Sequence, residues 1–171
     1  LEFKKKFVIA GGLRFEVFNK KIFNKIYSTE INKIKECYSK KYILITTSHL
    51  TSKKEIKNYI NSDASFMKLY TNKQKKLRLK NLKGFLEMNY KFRDLIIYLN
   101  KHFPKITIVI RPHPSENLDD WRKFLNDKLF NKKNIFINTE SDINALTKQA
   151  LCLINSKSSS ALHAFFHKIP I

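Results

Sequence analysis

The sequence predicts an α/β fold, a Rossmann-like doubly wound parallel sheet, on three observations. Short β-branched or apolar runs alternate with segments of helical periodicity from residue 42 to the end. The clearest helical segment, 85–103, feeds directly into the run Ile106–Ile110, which is half of a βαβ unit. That run stops at Arg111-Pro112-His113-Pro114, where two prolines can continue neither a ladder nor a helix. The chain is therefore forced into a stiff turn at a strand's carboxyl end, the edge at which open α/β sheets bind ligands.

Taken in order, Phe7-Val8-Ile9-Ala10 reads as a brief strand closed by Gly11-Gly12, a weak phosphate-loop signal without further glycines. Residues 17–38 carry a broken apolar stripe and read as a helix. The run 42–47 is the next strand, with Thr47, Ser48 and His49 at its carboxyl end; their hydroxyls can donate to a phosphate or cap a helix beginning near Lys53. From Ala64 to Leu86 there are seven basic residues and no acidic one, interleaved with Phe66, Tyr70, Leu77, Leu79 and Leu82. That stretch reads as a solvated, partly mobile helical excursion, or as a patch for nucleic acid or anionic lipid.

The helix over 85–103 places Phe85, Met88, Phe92, Leu95, Ile96, Leu99 and Phe103 on one side, and Pro104 ends it. After the Pro-His-Pro turn, Asn117 is placed to cap a helix bearing Leu118, Trp121, Phe124 and Leu125. A short strand over 134–137 follows, then a helix with Ser141 as its expected cap. Leu151–Ile154 reads as a strand whose exit loop, 155–160, is rich in serine. A last helix from Ala161 to His167 leads to Ile169-Pro170-Ile171, which reads as the start of another strand. With Leu at position 1, this suggests a piece of a longer protein.

The length of 171 residues suits about one domain with a real core. Its hydrophobic fraction of 43% and 14 Phe oppose disorder. The formal charge of +20 favours anionic partners. The joint abundance of Lys, Asn and Ile also fits AT-rich codon usage, so charge alone decides little. Cys37 and Cys152 match no ligand spacing and suit a reduced compartment. No apolar run approaches the ~18 residues of a membrane span, and no Asp-x-Asp or His/Cys spacing implies a metal.

Two loops can carry chemistry. One presents Arg111 and His113. The other presents Asn155, Ser158, Ser159 and Ser160 immediately before a helix, where hydroxyls, unpaired backbone N–H groups and the positive end of the helix dipole together favour an anion. A histidine across the crevice can donate to the same phosphate and stabilise charge on a departing nucleoside phosphate. Each loop also has a plainer reading: His113 braces the turn, and the serines cap the helix.

Together, Arg111-Pro112-His113-Pro114, the helix with Trp121, and the Ser-rich loop leading to Ala161-Leu162-His163-Ala164 resemble the surface-carbohydrate glycosyltransferases of GT-B fold. These are the bacterial capsule, lipopolysaccharide and polysialic-acid transferases with a His-Pro motif and a downstream Ser motif. Ala10–Glu16 resembles the segment that precedes their second domain, and Leu44–His49 its first strand and loop. CDP-glycerol glycerophosphotransferases share both motifs, and UDP-N-acetylglucosamine 2-epimerases are more distantly similar.

The resemblance implies the second half of a GT-B fold: a hinge in 1–38 and a nucleotide-sugar-binding domain in 39–171, truncated at its C-terminus. It implies transfer of a sugar or polyol from a CMP-, CDP- or UDP-linked donor to a glycan or lipid-linked acceptor, with no cofactor and with the general base outside this chain. By position, His113 is the catalytic contact to the donor phosphate and Ser159 and Ser160 bind the same group. Arg111, Thr47, Ser48, Asn155 and Ser158 are the remaining candidates for the crevice. The implied location is cytoplasmic, with peripheral contact at the inner face of the membrane, and nucleic acid is not the expected partner. The alternatives are a nucleotide-sugar epimerase on the same fold and a non-catalytic basic module for nucleic acid or anionic lipid. Two positions depart from the pattern: His163 stands where many relatives have Glu, and Lys168 where many have Gly. A lysine at the second position is expected to be tolerated if the turn avoids positive φ.

Overall fold

A computed structural model describes residues 18–38, 41–47, 53–54, 56–57, 70–128, 133–155 and 158–171. The elements are α1 (Lys20–Tyr38), β1 (Tyr42–Thr46), α2 (Asn72–His102), β2 (Thr107–Arg111), α3 (Leu118–Lys128), β3 (Ile135–Ile137), α4 (Ile143–Gln149), β4 (Ala150–Asn155) and α5 (Ser160–His167). All four strands are parallel, in the order β3-β2-β1-β4. The α/β doubly wound prediction therefore holds. The expected strand over 7–10, the Gly11-Gly12 loop and Ser48 lie outside the described residues.

The strands are continuous apolar runs because both faces of the sheet are covered. Tyr42, Leu44, Val109 and Leu153 point to one face and pack with Phe23, Ile31 and Ile34 of α1, Ala145 and Leu146 of α4, and Ala164 of α5. Ile43, Ile45, Ile108, Ile110 and Ile135 point to the other, against Phe92, Ile96 and Leu99 of α2 and Trp121 and Phe124 of α3. The result is three layers, α/β/α. Residues 20–38 are thus an integral wall of the core. Polar bonds fix that wall as well, since Asp142 N–H donates to Glu30 Oε1 at 2.6 Å and Asn144 Nδ2 to the Tyr27 hydroxyl at 3.0 Å.

Chain order and strand order disagree at one place. From β1 the chain winds through β2 to β3 on one side, then crosses so that β4 lies on β1's other flank. The reversal opens a crevice between the carboxyl ends of β1 and β4.

Helix boundaries follow local chemistry. α2 starts at a capping box in which Thr71 Oγ1 accepts from Gln74 N–H and Gln74 Oε1 accepts from Thr71 N–H. It continues unbroken for 31 residues, so the expected helix 85–103 is the second part of a longer one. Asn117 caps α3 through Asp119 N–H at 2.9 Å, as expected. The cap of α4 is Asp142, one residue later than the predicted Ser141; the Ser141 N–H is instead held by Asn138 Oδ1 at 2.9 Å. Residues 169–171 form no regular strand, although Leu153 N–H donates to the Pro170 carbonyl at 2.8 Å and so draws them alongside β4.

Two features of the α5 end stand out. Lys168 adopts φ 55° and ψ 39°, closing the helix with its N–H on Ala164 and Phe165 carbonyls. The turn does enter positive φ, contrary to the condition set for tolerating a lysine there, and carries about 1–2 kcal/mol of strain that glycine would avoid. His167 lies edge-on against Phe23, and its Nε2 is buried without a hydrogen-bond partner. Burial, with Lys148 and His163 nearby, pushes its pKa down to about 4. The unfolded chain protonates this imidazole near pH 6.5 while the folded chain refuses the proton, so stability falls as pH drops from about 6.5 towards 4. Allowing for solvent screening of a half-exposed ring, the loss is about 1–2 kcal/mol. Urea midpoints at about pH 7 and 4.5 test this: His167→Gln should abolish the part of the acid sensitivity that His167 contributes.

Candidate functional site

The stiff turn after β2 is held from below by one carboxylate. Glu116 is buried, and its Oε2 accepts from Thr47 Oγ1 and from Trp121 Nε1, each at 2.9 Å. Thr47 Oγ1 in turn accepts the His113 N–H at 3.3 Å, and Thr47 N–H donates to the Arg111 carbonyl at 3.2 Å. Glu116 N–H closes the turn on the His113 carbonyl at 2.8 Å. The exit of β1, the His-Pro turn and α3 are therefore fastened at a single oxygen. Pro112 and Pro114 limit the backbone between these anchors.

The imidazole of His113 is oriented by its neighbour. Ser115 N–H donates to Nδ1 at 3.2 Å, and Ser115 Oγ lies 2.8 Å from the same nitrogen. Because a backbone N–H can only donate, Nδ1 is the acceptor and the neutral ring carries its proton on Nε2.

Opposite stands the N-terminus of α5. Its three serines have separate tasks. Ser158 Oγ caps the helix by accepting Ser160 N–H at 3.2 Å. Ser160 Oγ is buried 2.7 Å from Thr46 Oγ1, bracing α5 against β1. Ser159 is exposed and its hydroxyl makes no capping bond. Among the three it is the one placed to meet a ligand.

These parts enclose a cleft of about 240 Å³ lined by Thr46, Thr47, Arg111–Pro114, Ser158–Ser160, Ile143 and His163. It sits at the carboxyl ends of β1, β2 and β4, at the crossover in strand order. Of the eight residues expected to form the site, six line it: His113, Arg111, Thr47, Ser158, Ser159 and Ser160. Asn155 ends β4 beside Thr46 and is not in the lining; Ser48 lies outside the described residues. Arg111 is only partly turned to the cleft's use, since its Nη1 donates to the Asn138 carbonyl at 3.1 Å. Burial lowers its pKa, while Asp142 and Glu30 act in the opposite sense.

Among the described residues no carboxylate lines the cleft, which presents a guanidinium, two histidines and hydroxyls. The chemistry of the cleft is that of an anion receptor. Among the described residues, no group of three or more His, Cys, Asp or Glu could hold a metal ion. Sequence reading did not single out Glu116. The signal lies in Thr47 and Trp121, two hydrogen-bond donors brought to one oxygen only by the fold. Thr46 is legible in hindsight as the inward-facing continuation of Tyr42 and Leu44.

No protein-family model matches the chain, and no match was found among curated proteins or solved structures.

Removing the Glu116 carboxylate strands two buried donors at once. Glu116→Ala is expected to cost about 2–4 kcal/mol, and Glu116→Gln, which keeps an acceptor oxygen, clearly less. Urea denaturation of both variants measures the difference.

Proposed function

We propose that the cleft binds the phosphate portion of a nucleotide-activated sugar or polyol, as the donor-binding part of a glycosyltransferase of bacterial surface polysaccharide synthesis. The observation that carries this reading is the pairing of His113 with the α5 N-terminus across a crevice that no described carboxylate lines, at the strand-order reversal. A volume of about 240 Å³ falls below the ~300–1,000 Å³ of complete small-molecule sites, which suits a phosphate or diphosphate rather than a whole donor.

In this reading the His113 imidazole contacts a phosphate oxygen, and the Ser159 hydroxyl, at the positive end of the α5 dipole, supplies the opposing donor. As the bond from sugar to phosphate breaks, negative charge gathers on the departing nucleoside phosphate. Donors already fixed in position stabilise that charge without reorganising. The Glu116 clasp and Ser115 hold His113 in the required orientation. The cation of Arg111 adds attraction at the rim. An epimerase on the same fold would need carboxylates in the crevice, and among the described residues none lines it.

The test is calorimetric titration of the protein with CMP, CDP and UDP. Binding of at least one is expected, with a loss of roughly tenfold or more in His113→Ala, since a hydrogen bond to a charged group contributes ~1.5–3 kcal/mol. An unchanged thermal midpoint would show the fold intact. Equal affinity of the two proteins would remove His113 from the site.

A further inference from the structure

α2 is much longer than the sheet it covers. Its 31 residues rise about 46 Å, whereas a five-residue strand spans about 17 Å. Its buried residues, Asn89, Phe92, Ile96, Leu99 and Asn100, all lie in the second part. None of residues 72–88 is buried. The helix ends just before β2 begins, at the amino edge of the sheet. Its first part therefore projects past the carboxyl edge, the edge that carries the candidate cleft. The capping box at Thr71 and Gln74 shows that the helix start is locally encoded there, away from the core.

This overhang is strongly basic. Lys73, Lys75, Lys76, Arg78, Lys80 and Lys83 occur before the first acidic residue of the helix, Glu87. Lys73, Lys76, Lys80 and Lys83 are all exposed and, at spacings of three and four, fall within an arc of about 80°. Leu77, 58% exposed, adjoins the same arc. Arg78 lies on the opposite side.

In isolation this arrangement is unfavourable. Each successive lysine repels the last at i,i+3 or i,i+4, and Lys73, in the first turn, stands on the positive end of the helix dipole with no acid beside it. An anionic surface reverses the sign of both effects. From this charge complementarity, and from the apolar Leu77 beside the stripe, we infer that the α2 overhang docks on the headgroups of an anionic lipid bilayer. Lysines meet the phosphates and Leu77 enters the interface. Single-stranded nucleic acid is the poorer fit, because it requires aromatic platforms and this stripe carries none. No helix among the described residues is long and apolar enough to cross a membrane, so the contact is peripheral. The inference is independent of what occupies the cleft.

Sedimentation of the protein with phosphatidylcholine vesicles, with or without about one quarter phosphatidylglycerol, tests it. Binding should require phosphatidylglycerol and should fall sharply between about 0.05 and 0.5 M salt. The combined variant Lys73→Gln, Lys76→Gln, Lys80→Gln and Lys83→Gln should bind at least about tenfold more weakly, at the usual contribution of each lysine near such a surface. Arg78→Gln, on the far side, should change binding by less than about twofold. Equal binding to neutral vesicles, an unchanged quadruple variant, or an equal loss in Arg78→Gln would overturn the proposal. So would displacement of bound protein from the vesicles by stoichiometric oligonucleotide, which would mark a nucleic-acid surface.

Discussion

One oxygen organises the functional edge of this domain. Glu116 Oε2 receives the hydroxyl of Thr47 and the indole N–H of Trp121. Thr47 belongs to the exit of the central strand, Trp121 to the helix beyond the turn, and His113 hangs between them. Buried acceptors of this kind are costly to leave unmatched, so the network exists in full or the turn loses its shape. The backbone bond from Thr47 N–H to Arg111 extends the β1–β2 ladder by one step, and Glu116 N–H closes the turn on the His113 carbonyl. A rigid histidine at a strand exit is thus a consequence of sheet registry plus one carboxylate. Across the crevice the same economy appears in Thr46 and Ser160, whose hydroxyls tie α5 to the strand that also carries Thr47.

The placement of the crevice follows from topology. With β1 inside the sheet and the winding reversed between β3 and β4, the cleft lies at the carboxyl ends of the strands where the order reverses. Among the described residues its walls carry hydroxyls, two imidazoles and a guanidinium, with the positive end of the α5 dipole behind Ser159. The α2 overhang places further cations beyond the same edge. Both features would bring anions to one side of the molecule, a small one to the cleft and an extended one to the helix.

Much of the fold was legible in the sequence. The strands at 107–111 and 150–155 announced themselves by apolar runs ending in Pro or Ser, and α2 by six apolar residues at helical spacing with Phe103 at its cap. The two loops of the site were legible for the same reason, since strand exits are punctuated by residues that cannot continue a ladder. Three things were not. The division of labour among Ser158, Ser159 and Ser160 depends on which hydroxyl faces β1, and the sequence offers three identical side chains. The Glu116 clasp joins residues 69 and 5 positions apart, and only the second separation is local. The left-handed turn at Lys168 was signalled only by the resemblance, which puts Gly there; nothing local declares that Ile169 must turn back to the Ala164 carbonyl through positive φ.

The claim that the cleft is a phosphate site is tested most directly by nuclear magnetic resonance titration of the ¹⁵N-labelled protein with UDP and, in parallel, with uridine. If the account holds, UDP shifts the amides of Ser159 and Ser160 and the ring nitrogens of His113, whereas uridine at the same concentration leaves them in place. Equal responses to both ligands, or UDP shifts confined to the lysines of the α2 overhang, would contradict it.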